Sequence, residues 1–154
     1  MRANVAVNGR NVLVCSVHLD RIDSIKVNKD GVGISWGDAL SLLTNEIMED
    51  TVRSRSVDEL LDWIGSGGPR RVIIGGDFNT VLYSKAIRKM GRVFEDALRY
   101  SPDCFTGSYL RSTLPVDPRL DFLFHSSDME CFDASVVKKS AGDHYPVRAV
   151  FDAI

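Results

Sequence analysis

The apolar positions of the chain change period several times, and each change marks an element. Near the N-terminus, "ANVAV" and "NVLVCSVHL" are β-branched runs on either side of Asn8-Gly9. That dipeptide suits a type I′ turn, whose two central residues need positive φ, so a β-hairpin is predicted. By parity Val12, Val14, Ser16 and His18 share one face of its second strand. Residues 20 to 37, "DRIDSIKVNKDGVGISWG", are polar, contain glycine and lack any period, which reads as a long loop.

From residue 38 to 64 the period becomes helical. Ala39, Leu43 and Ile47, then Met48 and Val52, then Val57, Leu60, Leu61 and Ile64 form one stripe at spacings of three and four. A single helix here would be about 40 Å long. Ser56 with Glu59 makes a capping-box pattern, so a break near residues 54 to 56 is the alternative. "GSGGP" ends the helical pattern, and "RVIIGGDFNT", residues 71 to 80, opens as a strand. A helix is expected from about Ser84 ("SKAIRKM"), with a short one at "FEDALRY". "RLDFLF", "CFDASVV" and "PVRAVFD" are three further strands. Strands that alternate with helices early and cluster late predict a mixed α/β fold, its sheets covered by helices.

Composition narrows the class without naming a function. A chain of 154 residues indicates one domain, spanning 1–154, able to bury about 68–70% of its unfolded surface. With 44% hydrophobic and 26% charged residues and no internal repeat, disorder and a solenoid are both excluded. A net charge of −2 removes bulk electrostatics as an argument for nucleic-acid binding. Local basic groups (Arg70 and Arg71; Lys85, Arg88, Lys89 and Arg92; Lys138 and Lys139) read as solvated faces. Cys15, Cys104 and Cys131 are odd in number and scattered, so no disulfide framework is implied and an intracellular, reducing setting is favoured. No signal peptide and no apolar run of membrane-spanning length is present, and a soluble protein is expected.

Four polar groups at strand ends carry the candidate chemistry. Asp77 and Asn79 stand two apart, so in an extended chain they face one side while Phe78 anchors on the other. Gly75 and Gly76 before them admit close approach of a backbone or a ligand; an Asx turn ending the strand is the plainer alternative. Asp121 is a carboxylate in an apolar strand, which calls for a partner unless it lies at an edge facing water. His144, in "AGDHYPV", is the natural partner: a carboxylate on one ring nitrogen fixes the tautomer and leaves the other nitrogen for chemistry. His18 ends the strand "VLVCSVHL", where a satisfied structural histidine is equally ordinary.

Taken in order, "HLD" after a strand, "GGDFNT", "RLDF" and "GDHYPV" resemble the endonuclease/exonuclease/phosphatase superfamily with its DNase I-like α/β sandwich of mixed, largely antiparallel sheets flanked by helices. Arg55 also resembles a recurrent arginine of that pattern. The resemblance implies a divalent-metal-dependent phosphoester hydrolase of phosphodiesterase or nuclease type, using Mg2+ or Mn2+. It implies Asp77 as the group orienting or deprotonating the attacking water, and Asn79 as a holder of a phosphate oxygen or of the metal-linked network. His144, oriented by Asp121, would contact the scissile phosphate; His18 would bind phosphate or assist the leaving group. The implied metal residues are Asp77, Asn79 and Asp143. The implied substrate is a phosphodiester: nucleic acid, a phosphoinositide or a phospholipid head group.

Two departures from the family pattern qualify this. Gly142 stands where a serine commonly precedes the Asp-His pair. The earlier half of the pattern, with an Asn ending its first strand and a metal-binding Glu ending its second, has no counterpart here. Glu46, Glu49, Glu59 and Glu95 follow no suitable strand and receive no metal role. The chain therefore reads as a C-terminal portion, incomplete at its N-terminus, whose activity alone is expected to be weak or lost. Uncovered sheet would invite self-association. The alternative is an inactive remnant serving as a binding or interaction domain.

Overall fold

The Asn8-Gly9 turn forms with φ of 50° and 77° at its two residues. It joins β1 (Arg2–Val7) to β2 (Arg10–His18) in an antiparallel hairpin. The structure is a computed structural model describing residues 1–21, 36–65, 71–110, 117–139 and 142–152, and the side chains of these except 36, 38, 39 and 42. Residues 22–35 of the loop expected at 20–37, most of "GSGGP" and the middle of the "TGSYLRSTLPVDP" loop lie outside the described residues, and Trp36 and Gly37, placed in that loop by the sequence, already belong to a helix.

Two helices, α1 (Trp36–Met48) and α2 (Val52–Gly65), occupy the long apolar stripe. The chain breaks between them at 49–51, earlier than the pattern at Ser56 and Glu59 indicates; those two residues lie inside α2. Thr51 begins the second helix instead: its carbonyl accepts Arg55 N–H and its hydroxyl faces Ser54 N. Ser54 is fully buried and donates its own hydroxyl to Asp50, so it packs within the helix rather than capping one.

Next come β3 (Arg71–Asp77) and α3 (Lys85–Met90). Ser84 caps α3, its hydroxyl accepting Ile87 N–H at 3.2 Å. "FEDALRY" forms no helix. Its Glu95–Asp96 pair is a short edge strand, β4, followed by a turn in which Asp96 accepts Leu98 N–H. Pairing with a strand far along the chain and the Arg119–Asp96 ion pair, both oxygens at 2.6 Å, outweigh local helical preference. The chain closes with β5 (Asp121–His125), β6 (Glu130–Val136) and β7 (Val147–Asp152).

The larger sheet runs β1-β2-β3-β5-β4, antiparallel except for the parallel β2–β3 pair; β6 and β7 form a separate antiparallel pair. Helices cover one face of the larger sheet. Leu13, Cys15, Val72 and Ile74 pack there against Val57 of α2 and Ile87 and Met90 of α3. Phe78, Phe122 and Phe124 close this core, Phe78 edge-on to the other two with centroids 5.7 and 5.5 Å away. Leu123, on the opposite face, joins a smaller core with Val136, Val147 and Phe151 of the second sheet. This is a mixed α/β sandwich in which β3 is central.

The glycine pair of β3 divides its labour. A Cβ on Gly76 (φ +146°) would lie 1.9 Å from the Val17 carbonyl oxygen, so the close approach here is that of the neighbouring strand's backbone. A Cβ on Gly75 would meet the Leu123 side chain at 3.7 Å and the Phe122 carbonyl oxygen at 3.8 Å, both ordinary contacts. Gly76→Ala is expected to cost about 3 kcal/mol or more, through overpacking and backbone strain together, and Gly75→Ala less than about 1 kcal/mol. Urea unfolding of the two variants checks the contrast.

Candidate active site

Strand register builds the site. In the parallel pair His18 is opposite Asp77, and in the antiparallel pair Asp77 is opposite Asp121. Three neighbouring strands therefore set His18, Asp77 and Asp121 abreast on one face, at the end of β2 and β3 and the start of β5. Directly opposed residues have Cβ atoms about 4.5–5.5 Å apart, so their side chains interact. Phe78, fully buried, pins the backbone immediately after Asp77.

His144 comes from the segment before β7, drawn in by an isolated bridge between Tyr109 and His144. Its Nδ1 lies 2.7 Å from Asp121 Oδ2, and its Nε2 lies 3.8 Å from Asp77 Oδ2. The Asp121 contact uses a ring N–H as donor, leaving Nε2 directed at Asp77. His18 Nε2 is also 3.8 Å from Asp77 Oδ2, but that side chain is 66% exposed and forms the open rim. Ligand-type atoms of Asp77, Asp121 and His144 all lie within 4.8 Å of one another.

Asn79 does not continue the strand, as simple alternation expects. Its φ is 47°, its backbone N–H donates to Asp77 Oδ1 at 2.8 Å, and its carboxamide donates to the Leu19 carbonyl at 2.7 Å. The motif is thus an Asx turn and, at the same time, a clamp between the ends of β2 and β3. Asp143, beside His144, lies outside the Asp77–Asp121–His144 cluster; its carbonyl accepts Leu110 N–H. Arg55 is exposed, its guanidinium on the Asp50 carbonyl, whereas Arg53 is the buried arginine of α2.

Ser108 and Tyr109 escape sequence reasoning. The Ser108 hydroxyl is fully buried, donates to Asp121 Oδ2 at 2.7 Å and accepts the N–H groups of Leu120 and Asp121, both at 3.0 Å. The Tyr109 ring lies 5.0 Å from that of His144. Neither residue belongs to a periodic pattern; just before them Gly107 lies so close to the Asp117 backbone that a Cβ there would touch it.

The electrostatics follow from the crowding. Burial pushes the Asp77 carboxyl above its ordinary range; the Asn79 N–H opposes, the Asp121 charge raises it further, and the imidazoles of His144 and His18 oppose again. Two ionised carboxylates within 4.8 Å of each other repel by about 3 kcal/mol or more at an effective dielectric of ~20. Two carboxylates and an imidazole are a donor set that fits a divalent cation: the oxygens suit Mg2+, and the ring nitrogen suits Mn2+ better. Asp121 Oδ2 already receives two hydrogen bonds, so Oδ1 is the oxygen it has to offer.

A raised carboxyl favours the folded state when protonated. Its contribution is complete below the ordinary carboxylate range and is lost as pH rises through the higher folded value. Asp77→Asn, which keeps an acceptor for Asn79 N–H, is therefore expected to raise Tm at pH 7 in metal-free buffer. The gain should vanish when wild type and variant are melted near pH 3.

No curated protein matches the chain in sequence. Solved structures share its fold. An endonuclease/exonuclease/phosphatase family protein from Bacteroides thetaiotaomicron is 16% identical with a TM-score of 0.58, covering 94% of this chain and 51% of its own. D. rerio TDP2 complexed with a single-strand DNA product is 17% identical with a TM-score of 0.62, covering 98% and 60%. A mannosyl-6-phosphatase from B. thetaiotaomicron is 18% identical with a TM-score of 0.51, covering 94% and 52%. The chain thus spans about half to three-fifths of the length of these structures. The model of the Endonuclease/Exonuclease/phosphatase family matches residues 6–144, and the chain belongs to that family.

Proposed function

We propose that the site serves divalent-metal-dependent hydrolysis of a phosphoester, a phosphodiester in the first instance. The observation that carries this reading is the convergence of Asp77, Asp121 and His144 within 4.8 Å from three distant segments. A bound cation would offset the repulsion between the carboxylates and polarise a phosphoryl oxygen. The chain's own groups do the rest. Asp77, its carboxyl raised by burial, orients the attacking water and accepts its proton. Water oxygen bonds to phosphorus as the ester P–O bond breaks, and the leaving oxygen takes up a proton.

His144 is held by Asp121 so that Nε2 faces the phosphate and stabilises the charge gathering on its oxygens. Asn79 retains a second amide N–H and its oxygen for a phosphate or the cation's shell, and Asp143 lends a carboxylate from the flank. His18, at the rim, meets phosphate or the leaving group. Relatives named for a DNA product and for a phosphorylated sugar bracket the substrate class; a nucleic acid, phosphoinositide or phospholipid head group all carry the required phosphoester. No described helix is long and apolar enough to cross a membrane. All six residues of β1 are exposed, an open flank that fits self-association.

Because the chain spans only part of its relatives, turnover by the isolated chain is expected to be slow. Its rate on a chromogenic phosphodiester should rise with added Mg2+ or Mn2+ and fall by at least about 100-fold in Asp77→Ala and in His144→Ala. A metal-dependent rate that survives both substitutions places the chemistry elsewhere. Absence of both turnover and cation uptake would instead favour an inactive interaction domain.

A further inference from the structure

Glu46 of α1 and Arg53 of α2 form a buried ion pair, 4% and 6% exposed. Arg53 donates from Nε and Nη2 to the two carboxylate oxygens in a fork. Stability alone is a poor explanation for such a pair. Taking both ions out of water offsets much of their attraction, and apolar residues of similar volume often serve the fold as well.

Its other contacts indicate what it holds. Arg53 Nη1 donates to the Asp20 carbonyl at 3.1 Å, just beyond β2. Glu46 Oε2 accepts the hydroxyl of Thr80, fully buried, at 2.6 Å, just beyond β3. These are the two segments that leave the site. His18 lies two residues before Asp20, and Asn79 directly precedes Thr80. The segments also bind each other, through Leu19 N–H to the Asp77 carbonyl at 2.9 Å and the Asn79 carboxamide to the Leu19 carbonyl. Asn79 sits in a left-handed conformation, which asparagine tolerates in an Asx turn and which sets the direction in which the chain leaves β3.

We propose that Glu46, Arg53 and Thr80 are positioning residues: a buried polar brace that holds the chain after β2 and the turn after β3 so that His18 and Asn79 stand at Asp77. The role rests on the hydrolase reading of that site for its purpose, though not for its geometry. A charged fork suits the task because it is directional, fixing two carbonyl- and hydroxyl-bearing segments at once, where apolar packing would let each slide.

The test compares wild type with the double variant Glu46→Met/Arg53→Met, which replaces the ions by apolar chains of similar reach. Native-state hydrogen exchange of the Leu19 and Asn79 backbone N–H groups reads the brace, the amides in the middle of β3 serve as the internal control, and Mn2+ affinity is followed by EPR. Expected are exchange at Leu19 and Asn79 faster by at least about 10-fold, unchanged protection in β3 and Mn2+ affinity weaker by about 10-fold. Thr80→Val, which removes one hydroxyl and keeps the shape, should move the same amides by about 3-fold, and it carries the test alone if the double variant does not fold. Unchanged exchange at Leu19 and Asn79, or equal acceleration throughout β3, overturns the proposal. If wild type takes up no Mn2+, the metal-dependent reading fails by itself, and the exchange ratio still decides the positioning role.

Discussion

The structure depends on holding two carboxylates side by side in a place where they repel. Asp77 and Asp121 are direct cross-strand partners, and the local Asn79 N–H on Asp77 offsets that only in part. The register of three strands keeps them there. A slip by one residue would turn every side chain of β3 to the opposite face, burying Asp77 among the phenylalanines and exposing Phe78. The stacked and edge-on contacts of Phe78, Phe122 and Phe124 oppose that slip, so the helix-side core enforces the like-charge juxtaposition on the other face.

Once that register holds, the remaining groups are placed by hydrogen bonds rather than by packing. Ser108 fixes Asp121 and the backbone on which it stands; Asp121 then fixes His144. Asn79 closes β2 onto β3, and the Gly76 backbone lets the two strands approach closely enough for that closure. Instability is concentrated where chemistry is proposed: burial raises the Asp77 carboxyl and the facing Asp121 charge raises it further. Such a site is costly to the fold and well suited to a cation and a phosphate.

Much of this was legible locally. Asn8-Gly9 as a turn, a helix starting near Ser84, Phe78 as an anchor and each of the family's motifs depend on residues close together in the chain. The failures are equally physical. Thr51, Ser54 and Ser56 can each cap a helix, and the choice among them was made by Ser54 becoming buried, which no local pattern encodes. "FEDALRY" has helical spacing, but Asp96 is claimed by Arg119 and β4 by β5. Ser108 reaches Asp121 through a loop with no period, so its part in the site had no sequence signal beyond a small residue after glycine.

The central claim is that residues distant in sequence surround one cation site. The chain has only three histidines, His18, His125 and His144, which makes proton NMR of the imidazoles a direct test. His125 lies at the far end of β5 from Asp121, its Nδ1 against the Ser126 carbonyl. Titration with substoichiometric Mn2+ should broaden the His144 and His18 ring signals together while leaving His125 sharp. Equal broadening of all three signals, or broadening of His18 or His144 without the other, would contradict a single shared site.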